Sequence, residues 1–139
     1  MPLSVFPKGF FSALIERRMS LEEWFELAPT VDVDGVELYP AFLHGFESRY
    51  LAGLRRRLES VGLHMPMFCH SPDFVRSDEA AREAEVEECR RMIDVTSALG
   101  GSYCRVLSGQ RRPGVGDEGL AWVVGCIESL LPAAESAGV

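Results

Sequence analysis

The feature that most constrains this chain is an alternation. Short apolar runs at residues 3–6, 35–39, 64–69 and 102–107 take turns with amphipathic stretches at residues 21–28, 47–60, 78–99 and from 117 onward. Strand signals recur roughly every 30 to 38 residues, the rhythm of βαβ units, in which parallel strands are joined by crossover helices. Four βα units suit two architectures. One is a small doubly wound sheet with helices on both faces. The other is half of a (β/α)8 barrel, since a whole barrel takes about 250 residues and this chain has 139. Periodicity alone leaves both open.

Local signals define the helices. Ser20-Leu21-Glu22-Glu23 has the form of a capping box, with Leu21, Trp24, Phe25 and Ala28 following at helical spacing and Pro29 ending the run. Leu51, Leu54, Leu58 and Val61 mark the second helix, and Gly62 suits its C′ position. Ser77 is the expected N-cap of the third helix, where Val86, Cys89, Ile93 and Thr96 supply the buried stripe. Asp117 is expected to cap the fourth, with Leu120, Val123, Val124, Ile127 and Leu131 on one face and Pro132 as a possible kink. Val139 follows Gly138 as a β-branched residue, the pattern of a strand start.

Composition excludes several classes. Net charge is −7, opposite to the basic face that phosphate binding requires. No nucleic acid partner is expected; Arg55, Arg56 and Arg57 share their helix with Glu47 and Glu59 and read as a solvated face. No apolar run approaches the length of a membrane span, and residues 1–7 are too broken for a secretory signal. A cytoplasmic location with no membrane partner is expected. Cys69, Cys89, Cys104 and Cys126 form no C-x-x-C pair and read as reduced core residues. No nucleophile elbow, P-loop, dinucleotide fingerprint or H-E-x-x-H is present.

In either architecture, function sits at the C-terminal ends of parallel strands. Glu37 lies between Val36 and Leu38 and points to the opposite face from both. A carboxylate there must be paired or reach water at a mouth. His70 ends the third strand, with Asp73 three residues on; Arg105 lies between Cys104 and Val106; Arg111 and Arg112 sit in the loop that follows. Each has a structural alternative: a buried Glu37–Arg105 ion pair, a hydrogen-bonded His70, a solvated arginine loop, a turn at Asp73. The other reading is contact with substrate or metal. The 109–116 loop lacks the ending of a Walker motif, and Asp117 at its cap opposes a phosphate.

Four segments carry a resemblance. Val33-Asp34-Gly35-Val36-Glu37-Leu38 resembles the Asp-Gly-hydrophobic-Glu-hydrophobic second strand of xylose-isomerase-like sugar phosphate isomerases and epimerases. Residues 54–64 look like that family's next helix and the entry to its third strand. Residues 99–109, with Arg105 inside, are similar to its fourth strand, and residues 130–139 to the helix before a fifth. The resemblance implies an α/β fold of the (β/α)8 TIM-barrel type in which residues 1–139 are the first four βα units, with no second domain, strand order 1-2-3-4 and helices outside only.

The resemblance also implies an isomerase or epimerase of sugars or sugar phosphates, holding a divalent ion (Mn, Mg, Co or Zn) and moving a proton beside a carbonyl with paired carboxylates. The family's ligands and catalytic glutamates belong to strands five to eight, so the catalytic residues are expected beyond Val139. Glu37, His70, Arg105 and Arg111 are left as substrate contacts, His70 also as a metal ligand, and the isolated chain is expected to be inactive. A non-catalytic binding module of the same fold is the alternative. An apurinic endonuclease-like protein is less favoured, because the fourth strand ends Ser108-Gly109-Gln110 without a histidine. Open edges at strands 1 and 4, with Val5, Val36 and Val106 in strands that lie against nothing on one side, imply self-association, as a dimer imitating a full barrel, or poor solubility.

Overall fold

The computed structural model describes residues 2–139; only Met1 lies outside them. Four parallel strands form in chain order: β1 (Ser4–Val5), β2 (Gly35–Val36), β3 (Met67–Cys69) and β4 (Tyr103–Arg105). β1 pairs with β2, in register Ser4 to Gly35, and β3 pairs with β4, Met67 to Tyr103. Parallel bridges from Gly35 to His64 and from Leu38 to Phe68 join the two pairs, so the spatial order is 1-2-3-4. Gly35 is required at the crossing: a Cβ there would lie 2.8 Å from the His64 carbonyl oxygen.

The crossover helices are α2 (Leu21–Leu27), α3 (Ser48–Ser60), α4 (Glu79–Ala98) and α5 (Glu118–Ala137), preceded by a short α1 (Phe11–Ile15). Each crossover helix packs against the next, giving a single curved outer layer. This is the arrangement of four βα units of an open barrel. α2 starts on the capping box: Ser20 Oγ accepts from the Glu23 N–H at 3.1 Å, and Glu23 Oε2 accepts from the Ser20 N–H at 2.7 Å. α3 buries Leu51, Leu54 and Leu58.

The cap of α4 is Asp78 rather than Ser77. Asp78 Oδ1 accepts from the N–H groups of Ala80 and Ala81 at 3.1 and 3.4 Å. A carboxylate at that position also complements the helix dipole. Asp117 occupies the N-cap of α5, but its side chain makes no capping bond. α5 runs on through Pro132. Gly138 then takes a left-handed φ of 72°, while the N–H groups of Gly138 and Val139 return to Glu135 and Ala134. That is a Schellman cap with Val139 at its C″ position.

The apolar interior has two parts. The larger lies between β1–β3 and helices α1 to α4, with Phe25, Val36, Leu38, Phe42, Phe68 and Met92 sealed from solvent. The smaller unites Phe74, Cys89, Ile93, Val123 and Leu130 between α4 and α5. Cys104, pointing outward from β4, touches both. Val36 is therefore fully buried on the helix side, and Val5 and Val106 are partly buried. The exposed apolar residues in or beside the terminal strands are instead Leu3, Tyr103 and Leu107. α5 is long and apolar enough to cross a membrane by length and composition. Here one face of it covers the smaller core.

Candidate functional site

Strand alternation decides which side chains reach the inner face. Val36 and Leu38 enter the helix-side core, so Glu37 between them turns inward; Cys104 and Val106 pack outward, so Arg105 turns inward. Glu37 and Arg105 line one open cleft of about 410 Å³, with Tyr39, Cys69 and Ser71 completing its polar wall. Phe6, Phe11 and Leu107 form its apolar wall. Lys8, on the β1–α2 connection, is the second cation at the cleft.

The Glu37 carboxylate is half-buried and held at both oxygens. Oε1 accepts from Ser4 Oγ at 3.0 Å, and Oε2 accepts from Cys69 Sγ at 3.5 Å. Glu37 makes no ion pair with Arg105 among the described residues; Arg105 is exposed and lies by Cys69. A carboxylate anchored by two neutral donors keeps free acceptor capacity for sugar hydroxyl groups, and an unpaired guanidinium can donate to a carbonyl or phosphate oxygen. Behind the apolar wall, Phe6, Phe11, Tyr39 and Phe42 pack with ring centroids 5.4 to 6.1 Å apart. They give the cleft a rigid floor.

His70 is placed elsewhere. Its neighbours Cys69 and Ser71 line the cleft, whereas His70 itself is buried on the α4 side, near Glu85 and Glu88. Burial lowers its pKa, with the two glutamates opposing, and Nε2 is buried without a hydrogen-bond partner. Arg111 is exposed on the 108–116 loop and does not line the cleft.

Arg112 and Asp73 instead knit the two loops. Asp73 Oδ1 accepts from the Gln110 N–H at 3.1 Å, its Oδ2 pairs with Arg112, and Arg112 Nε donates to the Val75 carbonyl at 2.7 Å. Sequence reading passed over Lys8 and Phe11, because the strand-helix rhythm treats the β1–α2 connection as a loop. The spacing of Phe11, Leu14 and Ile15 was the available helical signal.

A divalent ion does not fit these residues by themselves. Among the described residues no three histidine, cysteine, aspartate or glutamate side chains converge. Glu37 is the only carboxylate of the cleft, and His70 faces away from it.

The inward carboxylate and arginine at strand ends, on an open parallel sheet with helices outside, define half of a barrel mouth. Residues 25–139 match the xylose isomerase-like TIM barrel family, and the chain belongs to that family. No curated protein matches it. Solved structures do. Protein SMc04130 from Sinorhizobium meliloti 1021 is 22% identical, with a TM-score of 0.77 over 99% of this chain and 48% of that one. D-psicose 3-epimerase crystallised in the presence of D-fructose is 15% identical, with a TM-score of 0.80 over 100% and 50%. L-ribulose 3-epimerase is 17% identical, with a TM-score of 0.77 over 100% and 48%. At these identities the likeness is one of fold, and the chain spans about half the length of the structures it matches.

Proposed function

We propose that this chain is the substrate-holding half of a sugar isomerase or epimerase mouth, where a proton moves at a carbon beside a sugar carbonyl. The observation that carries the reading is the convergence of Glu37 and Arg105 in one inner-face cleft at the C-terminal ends of the strands. Glu37 accepts from ketose hydroxyl groups, Arg105 and Lys8 donate to the carbonyl or to a terminal phosphate, and the Phe6–Phe11 side meets the C–H face of the sugar. In this reading the chain binds and orients. The proton-moving carboxylates and the ligands of a Mn, Mg, Co or Zn ion belong to the complementary half, and no step here is routed through that ion. The names of the epimerase neighbours support a ketose as the ligand class.

The test is amide chemical-shift mapping of the chain against D-fructose and D-fructose 6-phosphate. Shifts should center on Glu37, Tyr39, Ser71 and Arg105, and Arg105→Ala should abolish them. A stronger response to the phosphate would assign Lys8 and Arg105 to its anion. Absence of saturable shifts at the cleft with either sugar overturns the reading. The isolated chain should show no epimerase turnover, with or without added divalent ion.

A further inference from the structure

The outer helical layer carries a groove of about 620 Å³ between α4 and α5. Both of its walls belong to this chain, and beneath it the two helices pack together through Val86, Cys89, Val123 and Cys126. The α4 wall sets Glu79, Glu83 and Glu87 at intervals of four, in a row along the rim. The α5 wall sets Ala121, Gly125 and Ser129 at the same interval. At about 3.6 residues per turn, these three lie on the opposite face of α5 from Leu120, Val124 and Ile127. The groove therefore looks away from the β4 edge, where Ile127 and Leu131 lie.

The two cations of the groove are already engaged. Arg82 lies over the Trp122 ring, 4.8 Å from its centre, and its Nη1 donates to the Arg76 and Ser77 carbonyls at 2.6 and 3.1 Å. Arg90 pairs with Glu87 and donates across the groove to the Ser129 carbonyl at 3.4 Å. Glu79 and Glu83, by contrast, make no ion pair among the described residues and stand exposed one helical turn apart. Between the rims the floor is apolar, formed by Val86 and Cys126, which are 8% and 9% exposed. The groove thus joins an apolar floor, a wall of small side chains and a pair of unmatched carboxylates.

We propose that this groove docks an amphipathic helix of another protein, one that carries Lys or Arg residues one turn apart on its flank. Ala121, Gly125 and Ser129 let a helix approach closely, so that its apolar ridge seats over Val86 and Cys126 beside Trp122. The cations of the incoming helix then meet Glu79 and Glu83. Buried apolar area supplies the affinity, while exposed ion pairs contribute little energy and set the choice of partner and its direction. The charge pattern argues against other occupants. An acidic rim repels nucleic acid and anionic lipid. A second copy of this chain lacks the matching feature: no two of its fourteen Lys and Arg residues stand three or four apart.

The experiment is fluorescence anisotropy of a labelled synthetic helical peptide titrated with the full chain. The peptide has an Ala–Leu face flanked by lysines one turn apart, and a twin peptide carries glutamate in place of each lysine. The lysine peptide should bind saturably, more weakly as salt rises, and the twin should not bind. Glu79→Gln combined with Glu83→Gln should weaken binding severalfold. Gly125→Leu should abolish it. An added Cβ at Gly125 meets nothing within 4 Å, so leucine fills the groove while the fold and the net charge stay the same. That variant separates docking in the groove from general attraction to an acidic chain. In the unaltered chain, amide shifts on adding the lysine peptide should centre on Glu79, Glu83, Trp122 and Gly125, a reading that does not depend on how the variants fold. Absence of saturable binding, equal binding of the two peptides, binding indifferent to Gly125→Leu, or shifts centred elsewhere overturns the proposal.

Discussion

The Cys69 thiol donates to Glu37 Oε2 at 3.5 Å, and Ser4 Oγ donates to the other oxygen of the same carboxylate at 3.0 Å. Three strand regions thereby meet at one side chain: Ser4 in β1, Glu37 just past β2 and Cys69 in β3. Glu37 is thus fixed in direction without being neutralised by a cation. Replacing it by glutamine keeps the size and one acceptor oxygen, so the fold should survive. A hydrogen bond to a charged group is worth about 1.5–3 kcal/mol, so Glu37→Gln should weaken ketose binding roughly tenfold or more. Titration of the variant followed by amide shifts checks this; unchanged affinity would remove Glu37 from the site.

Burial pushes the Cys69 thiol up to about 11, Arg105 opposing the rise and Glu37 adding to it. Burial likewise carries Cys89 to about 12 and raises Cys104 and Cys126. The thiolate is the reactive form, so all four cysteines should resist iodoacetamide in the native protein at pH 8 and react fully in denaturant. Mass spectrometry reads the difference. Rapid native labelling of Cys69 would mean that the Glu37 cleft opens to solvent more than the structure has it.

Much of this was legible from residues alone, for reasons that differ by element. The capping box of Ser20 and Glu23 is a local device, complete within four residues, and Ser20→Ala should cost about 1 kcal/mol. The inward turn of Glu37 followed from strand alternation between two apolar neighbours. His70 obeys the same rule: Cys69 and Ser71 on either side of it face the cleft, so it faces α4, but no apolar neighbour marks that choice in the sequence. Ser77 and Asp78 are both good caps, and only backbone geometry chooses between them. Lys8 and Phe11 stayed hidden because their approach to the cleft depends on a short helix packed against Phe42, a tertiary contact with no local signature. Arg111 and Arg112 are indistinguishable in sequence; Asp73 selects the second.

His70 should make stability depend on pH. Its folded pKa lies below the ordinary 6.5 because burial disfavours the charged ring, more than Glu88 and Glu85 favour it. The unfolded chain therefore binds more protons than the folded one once pH falls to about the unfolded value, and stability must fall with pH there. The contribution is fully present above that value and is lost as pH drops toward the folded pKa. Urea midpoints should decline between pH 7.5 and pH 5.5, and His70→Gln should flatten that decline. A midpoint independent of pH in both proteins would mean that the buried ring keeps its ordinary pKa.

Gly109 and Asp73 define the last expectation. Gly109 has a φ of 122°, a backbone conformation that side chains rarely adopt, and an added Cβ would run into the Asp73 carboxylate. Burial opposes ionisation of Asp73, but the Gln110 N–H and the Arg112 guanidinium outweigh it and hold the carboxyl below its ordinary value. The clamp joins the loops that follow β3 and β4, and so sets the rim beside Arg105 and Leu107. Gly109→Ala introduces backbone strain of order 1–3 kcal/mol and displaces the carboxylate as well. Asp73→Asn keeps an acceptor for the Gln110 N–H but loses the charge facing Arg112, an exposed partner whose ion pair contributes about 0–1 kcal/mol. The order of destabilisation in urea should therefore be Gly109→Ala above Asp73→Ala above Asp73→Asn. Proteolysis within residues 108–116 should accelerate in the same order. Equal urea midpoints for all three variants and the unaltered chain would show that the loops hold their positions without the clamp.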